Sequence, residues 1–180
     1  MTGIVGTDRD HANGATFSPD GRYRYHLWRS AQKRRGAGSI TFIMLNPSTA
    51  DAEKDDPTIR RCLAFAKEWG YRRLDVVNLF ALRATNPKAL KAVSYPEAVG
   101  PHNDQAIERV MNDSSLVVAA WGAHGALHQR DDDVIRMVVP TGKMHYLRFT
   151  KGKHPAHPLY LPSTLKPIKW GTSGGGANGR

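Results

Sequence analysis

The chain has 180 residues and a formal net charge of +10, with 26 lysine and arginine residues against 16 aspartate and glutamate residues. This length suits one domain with a sizeable core and is short for two, and no apolar run approaches the ~20 residues that a membrane span requires. A single cysteine, Cys62, excludes a disulfide framework or a cysteine-built metal centre within one chain. Because the first ten residues lack the apolar core of a secretory signal, we expect a cytoplasmic protein without a membrane partner.

The first predicted element is a β-hairpin. Residues 1–14 are polar and contain glycine, so we expect them to be poorly ordered and the single domain to span residues 15–170. Residues 15–28 predict two strands joined by a turn at Ser18–Gly21. Basic and aromatic side chains alternate here, which is typical of a nucleic-acid contact surface. The same alternation also fits a hairpin with its aromatic side chains inward and its arginines in water.

Four apolar runs predict buried strands, and helical patterns lie between them. The runs are residues 40–45, 74–80, 115–121 and 143–150, and helices are predicted to begin at Asp56–Pro57 and to cover residues 103–111 and 127–138. This alternation predicts an α/β fold, a three-layer sandwich around a mostly parallel four-stranded sheet, with the hairpin added at the N-terminus. Residues 171–180 are expected to form a flexible glycine-rich tail.

Polar residues follow the predicted strands at the edge where ligands of open α/β sheets bind. Asn46 ends the first buried strand; its amide suits the orientation of a water molecule or ligand, and equally a turn that closes the strand. Asn78 interrupts an apolar strand, so its amide must find partners, either in a ligand or in the core. His157 lies between Pro155 and Pro158, which fix the loop, and is a candidate hydrogen-bond donor or an ordinary surface histidine.

A cluster of carboxylates comes just after Asn46. Asp51, Asp55 and Asp56 are compatible with a metal or general-base site. We favour a simpler interpretation, in which Asp56 caps the helix and the other two are solvated near its positive end. The sequence therefore predicts no metal site.

Several of these motifs resemble a bacterial and phage family of domains of unknown function. The matching segments extend over most of the chain and are Leu45-Asn-Pro-Ser-Thr-Ala-Asp51, Asp56-Pro-Thr-Ile-Arg-Arg61, Val77-Asn-Leu-Phe-Ala-Leu-Arg-Ala84, Ala120-Trp-Gly-Ala-His124 and His157-Pro-Leu-Tyr160. The resemblance implies membership of a family but no established activity.

The order of the same motifs resembles, more distantly, the uracil-DNA glycosylase superfamily. Asn46-Pro47 is similar to the motif that positions the attacking water in that superfamily, and Asn78 to the asparagine that reads the base. His157 is similar to the histidine that contacts the leaving base, and Leu161 to the residue that wedges into the duplex. The resemblance implies base flipping and hydrolysis of an N-glycosidic bond, with no cofactor and no metal.

On this hypothesis Asn46 and His157 are the catalytic residues. The residues expected to bind the substrate are Asn78, Pro47, Ser48, Phe80, His124 and His154, and those expected to contact nucleic acid are Arg22, Arg24, Arg34, Arg35 and Leu161. The basic charge favours a nucleic-acid partner, with DNA expected before RNA, and we expect a monomer. Two alternatives stay open, a non-catalytic nucleic-acid-binding domain and a hydrolase of free nucleotides or nucleosides.

Overall fold

A computed structural model of the chain describes residues 5–6, 12–31, 36–48, 50 and 54–171. These residues form one sheet of eight strands and four α-helices, with short 3-10 helices in the connections. The strands are β1 (Val5–Gly6), β2 (Asn13–Phe17), β3 (Arg24–Ser30), β4 (Ala37–Met44), β5 (Tyr71–Asn78), β6 (Leu116–Ala119), β7 (Met144–Tyr146) and β8 (Ile168–Lys169). The helices are α1 (Pro57–Glu68), α2 (Tyr95–Val99), α3 (Asn103–Asn112) and α4 (Arg130–Val138).

The strand order is β1-β2-β3-β5-β4-β6-β7-β8. Pairing is parallel among β5, β4, β6 and β7, which are the four strands predicted from the apolar runs, and antiparallel everywhere else. The α/β class is confirmed, but the prediction of a mostly parallel four-stranded sheet is wrong. The hairpin does not stand apart, because β3 pairs with β5 in register Leu27↔Val76, and β8 extends the opposite edge.

The sheet begins before the predicted domain start. Val5–Gly6 pairs with Thr16 and Phe17, and β2 begins at Asn13, so part of the segment predicted to be poorly ordered is in the sheet. The rest of residues 1–11, and the predicted tail from residue 172, lie outside the described residues.

Helices cover both faces of the sheet because successive side chains of a central strand point to opposite faces. In β4, Phe42 and Met44 pack in the cluster that contains the buried residues of α1, whereas Ile43 packs in the cluster that contains those of α3 and α4. Fully burying one such side chain contributes about 1.5–3 kcal/mol. None of the helices in the described part of the chain is long and apolar enough to cross a membrane.

The start of α1 confirms the predicted cap. Asp56 Oδ1 accepts a hydrogen bond from Ile59 N at 2.8 Å, and Pro57 occupies the first turn. α4 begins later than predicted, at Arg130, because His128 and Gln129 have positive φ angles of 56° and 58°. A right-handed helix cannot pass through two left-handed residues.

Candidate active site

The loops that follow β4 and β5 are joined by hydrogen bonds at the carboxyl edge of the sheet. Asn46 Nδ2 donates to Ala84 O at 2.8 Å and to Pro47 O at 3.1 Å, and Ala84 N donates to Pro47 O at 3.0 Å. The bond from Asn46 Nδ2 to Ala84 O therefore joins the two loops, and the bond to Pro47 O lies within the loop after β4. Its Oδ1 atom remains the group that can accept a hydrogen bond from a water molecule or a ligand.

The side chain of Asn78 is the most unusual feature of this edge. It is 1% exposed, and neither its Oδ1 nor its Nδ2 atom has a hydrogen-bond partner among the described residues. The alternation of β5 places it on the face of Leu74 and Val76, toward α1. An unsatisfied polar group at such a site costs about 1–3 kcal/mol, so this amide calls for an explanation.

The backbone around Asn78 is held from the opposite face of the sheet. Asn103 Nδ2, from α3, donates to Asn78 O at 3.0 Å and to Leu79 O at 2.9 Å. Arg130 Nε, from α4, donates to Leu79 O at 2.9 Å. Because these donors are buried, the end of β5 is fixed in position, even though no described residue hydrogen-bonds to the side chain of Asn78.

His157 reaches the same edge from the loop after β7. Gly122, at the end of β6, donates through its N–H to Pro155 O at 2.8 Å, and a Cβ built on Gly122 would lie 3.8 Å from the Cβ of His157. Ser48 Oγ donates to Asp56 Oδ2 at 2.8 Å, and the Asp56 charge acts on the His157 ring. The segments that follow β4, β6 and β7 thus meet near the start of α1.

The protonation of His157 is set by its surroundings. Leu159 N donates to His157 Nδ1 at 3.3 Å, so Nδ1 is an acceptor and the neutral ring carries its proton on Nε2. Burial lowers the pKa of His157 below its usual value, and the nearby Asp56 carboxylate only partly opposes this effect. The neutral imidazole is the favoured form, and its Nε2–H is a hydrogen-bond donor.

The lowered pKa of His157 predicts a pH dependence of stability. A histidine with a folded pKa below its unfolded value stabilises the folded state fully above the unfolded pKa, about 6.5. This contribution is lost as the pH falls toward the folded pKa, because the unfolded chain binds the proton first. We expect His157→Gln to lose less stability than the parent protein between pH 7.5 and pH 5.5 in urea unfolding. Equal losses in both proteins would contradict the buried, neutral histidine.

The other residues predicted to bind substrate are not all at this site. Pro47 is buried and Ser48 is half-buried in the loop after β4. Phe80 is 0% exposed and packs in the core on the α3 face, so it is not accessible to a ligand. His124 is exposed in the segment after Gly122. His154 Nδ1 lies 3.8 Å from Asp131 Oδ2, a carboxyl group whose pKa is raised by burial.

The residues predicted to contact nucleic acid differ in exposure. Arg22 is exposed and paired with Glu97. Arg24 is buried, and its Nη1 donates to Ala50 O at 2.5 Å, so it is a structural arginine instead of a surface cation. Leu161 is 6% exposed in the α1-side core, so the predicted wedge contact is not available to it. Arg34 and Arg35 lie outside the described residues.

Sequence reasoning missed two features of this edge. Tyr160 is 85% exposed, and its ring centroid lies 6.3 Å from that of His157. An open depression of about 330 Å³ is lined by Ser48, Arg83, Ala84 and Thr85. Arg83 Nη1 donates to Gly21 O at 2.9 Å and its guanidinium lies over the Phe17 ring. No periodicity of apolar residues distinguishes the exposed Tyr160 from its buried neighbour Leu161. The short 3-10 turn at Pro158–Tyr160 determines which of the two side chains faces solvent.

The described residues contain no group of three or more histidine, cysteine, aspartate or glutamate side chains arranged to hold a metal ion. A model of a family described as "Protein of unknown function (DUF1643)" matches residues 24–159, most of the chain. The chain belongs to this family. The prediction of a family of unknown function is thereby confirmed, and the matched range includes Asn46, Asn78 and His157 but ends just before Tyr160. No curated protein and no solved structure matches the chain significantly.

Proposed function

We propose that this protein is a DNA glycosylase-like hydrolase, which removes a damaged or modified base from nucleic acid by cleaving its N-glycosidic bond. The proposal rests on one observation above all, the buried amide of Asn78 at the carboxyl edge of the sheet, which has no hydrogen-bond partner in the described part of the chain. An amide offers one acceptor and two donor hydrogens, which is the pattern needed to hydrogen-bond the edge of a base. Because the Asn78 side chain is 1% exposed, a base reaches this amide only when the surrounding loops move apart. A ligand bound in that open state would satisfy the amide and remove the free-energy cost of leaving it unpaired.

The state of His157 supports a role at the leaving group. In N-glycosidic hydrolysis, the bond between C1′ and the base nitrogen breaks, and the base leaves with the electron pair as an anion. The Nε2–H of neutral His157 can donate a hydrogen bond where this charge develops. One well-placed donor to a developing anion contributes about 3 kcal/mol.

The arrangement of Asn46 supports a role in water positioning. Its N–H groups are held by Ala84 O and Pro47 O, which fixes the direction of Oδ1. A neutral amide cannot remove a proton, so Asn46 orients the water and its contribution is geometric. The water oxygen bonds to C1′, one water proton goes to solvent, and the departing base takes a proton from solvent.

The surface around this edge supports a polymeric substrate. Tyr160 offers an exposed aromatic face beside His157, and base stacking on such a ring contributes about 1–3 kcal/mol. Arg83 is exposed at the hairpin side of the same edge, and an arginine there can neutralise a phosphate; Arg22 beside it is exposed but already paired with Glu97. We therefore propose a cytoplasmic monomer that acts on DNA, with extrusion of the target nucleotide from the stack.

A panel of oligonucleotides tests this proposal directly. Duplex and single-stranded DNA and RNA, each with one uracil, deaminated, oxidised or alkylated base, are incubated with the protein and then treated with alkali. We expect strand cleavage at one class of modified base and release of the free base. The parallel measurement is binding of the same oligonucleotides over a range of salt concentrations.

The same panel separates the alternatives. Salt-dependent binding without base release would identify a non-catalytic nucleic-acid-binding domain, because the slope of log affinity against log salt reports phosphate neutralisation. Cleavage of free nucleotides or nucleosides, without any action on polymers, would identify the other alternative. Either result would overturn the proposed glycosylase.

A further inference from the structure

A second cavity lies at the amino edge of the central strands, at the opposite end of the sheet from the candidate active site. It has a volume of about 250 Å³, and its lining includes Ser39 from β4, Arg73 and Asp75 from β5, and Asp113 after α3. None of the motifs singled out in the sequence falls in this cavity.

A buried ionic cluster forms one wall of the cavity. Asp75 is 4% exposed, and its Oδ1 accepts hydrogen bonds from His26 Nε2 at 2.7 Å and from Arg73 Nε at 2.9 Å. Arg73 Nη2 lies 2.9 Å from the same oxygen. Burial raises the pKa of Asp75, but His26 and Arg73 outweigh it, so that the pKa stays below its usual value and the carboxylate is charged.

This cluster fixes the orientation of the Arg73 guanidinium. The edge of Arg73 formed by Nε and Nη2 contacts a single oxygen of Asp75, Oδ1. The Trp28 ring packs against the guanidinium, with the ring centroid 5.4 Å from Arg73 Cζ. The outer edge of the Arg73 guanidinium is formed by Nη1 and Nη2. Among the described residues, its contact is the one between Nη2 and Asp75 Oδ1. Two parallel N–H groups at the end of a guanidinium match the two oxygens of a phosphate or carboxylate group.

We propose that this cavity is a binding site for a small oxyanion, a phosphate or carboxylate group held by the outer edge of Arg73. The orientation of Arg73 is already fixed before binding, so less conformational entropy is lost than for a free surface arginine. Arg72 and Asp113 also line the cavity, but both are exposed. Solvent screens these two opposite charges. The Asp75 carboxylate neutralises part of the Arg73 charge, so the site would hold an oxyanion mainly by the directed N–H groups of the guanidinium. The proposal does not depend on the glycosylase activity.

This site is tested by titrating the protein with inorganic phosphate. NMR monitors the backbone amide signals of Gly38 and Ser39 during the titration. Chloride at equal ionic strength is the control for screening. We expect saturable shifts of these two amides with phosphate and acetate, but none with chloride. A nucleoside 5′-monophosphate and the nucleoside without phosphate show whether the group is bound free or as part of a nucleotide; only the phosphorylated compound is expected to bind.

The test variant is Arg73→Lys, which keeps the positive charge but loses the two parallel N–H groups of the guanidinium. The matched control is Arg136→Lys, which changes the exposed arginine paired with Asp133 on α4. We expect Arg73→Lys to weaken phosphate binding about tenfold or more and Arg136→Lys to leave it unchanged. Each affinity is measured on protein whose folding is verified by its amide spectrum. Equal phosphate affinity in Arg73→Lys and the parent protein, or shifts confined to residues elsewhere, would overturn the proposal.

Discussion

Asn78→Leu is expected to raise the free energy of unfolding by about 1–2 kcal/mol and to lower base release by about 100-fold or more. Leucine is similar to asparagine in size and has no polar atoms, so it removes a buried amide that has no partner among the described residues. It also removes the group that we assign to reading the base, and the loss of one such contact in the transition state costs about 100-fold. Urea unfolding and the oligonucleotide assay measure the two effects on the same preparation.

The matched control for this variant is Asn103→Leu. Asn103 is also a buried asparagine at 1% exposure, but its Nδ2 donates to two backbone carbonyl groups at the end of β5. Its replacement removes both hydrogen bonds; Leu79 O keeps its bond from Arg130 Nε, but Asn78 O loses the Asn103 donor. We expect the free energy of unfolding to fall by about 1–3 kcal/mol. Opposite signs for the two leucine variants would support the assignment of Asn78. If Asn78→Leu were as destabilising as Asn103→Leu, its amide would be a structural group and the proposed base reader would be lost.

Asn46→Ala is expected to abolish detectable base release, by about 100-fold or more, while oligonucleotide binding is retained. The reason is geometric, since the water molecule loses the acceptor that orients it, and a misplacement of about 1 Å can cost 100-fold. The arginines that we propose as phosphate contacts, such as Arg83, are separate from the Asn46 amide. Single-turnover base release and fluorescence anisotropy measure the two quantities.

Two further variants separate water positioning from the loop contact. Asn46→Asp keeps an acceptor oxygen but loses the N–H groups that bond Ala84 O and Pro47 O. Because those two bonds fix the direction of Oδ1, we expect Asn46→Asp to lose most of the base release as well. Base release close to that of the parent protein would show that an acceptor oxygen is sufficient without the loop contact. Asn86→Ala is the control on a nearby loop, since its Oδ1 only accepts from Lys88 N in an exposed 3-10 turn. Undiminished base release by Asn46→Ala would remove Asn46 from the mechanism.

Local signals in the sequence were sufficient to predict the central strands and α1. The apolar runs of β4 and β5 are continuous because both faces of these strands are covered, and Asp56–Pro57 marks a helix start by its own chemistry. The extent of the sheet could not be predicted in this way. Whether a hairpin stands alone or pairs with β5 depends on backbone hydrogen bonds between Arg24–Ser30 and residues far along the chain.

For the candidate site, the rule that ligands bind at the carboxyl ends of parallel strands predicted Asn46, Asn78 and His157 at one edge of the sheet. It could not predict which side chains near that edge are exposed to solvent. Arg24 has the composition of a surface cation, yet its side chain turns inward to Ala50 O. Leu161 and Tyr160 are adjacent in sequence and opposite in exposure. Such differences arise from contacts between segments far apart in the chain, which no local pattern encodes.

The strand order also has a consequence for synthesis of the chain. Asn46 follows β4 and Asn78 ends β5, two neighbouring strands from the amino-terminal half, whereas His157 follows β7, the last strand to join the parallel set. At about 5–20 residues per second, His157 leaves the ribosome roughly 4–16 s after Asn78. A nascent chain therefore carries Asn78, the proposed base reader, before it carries His157, the proposed donor to the departing base. Translation that stops within α4 yields a product with the first residue and without the second.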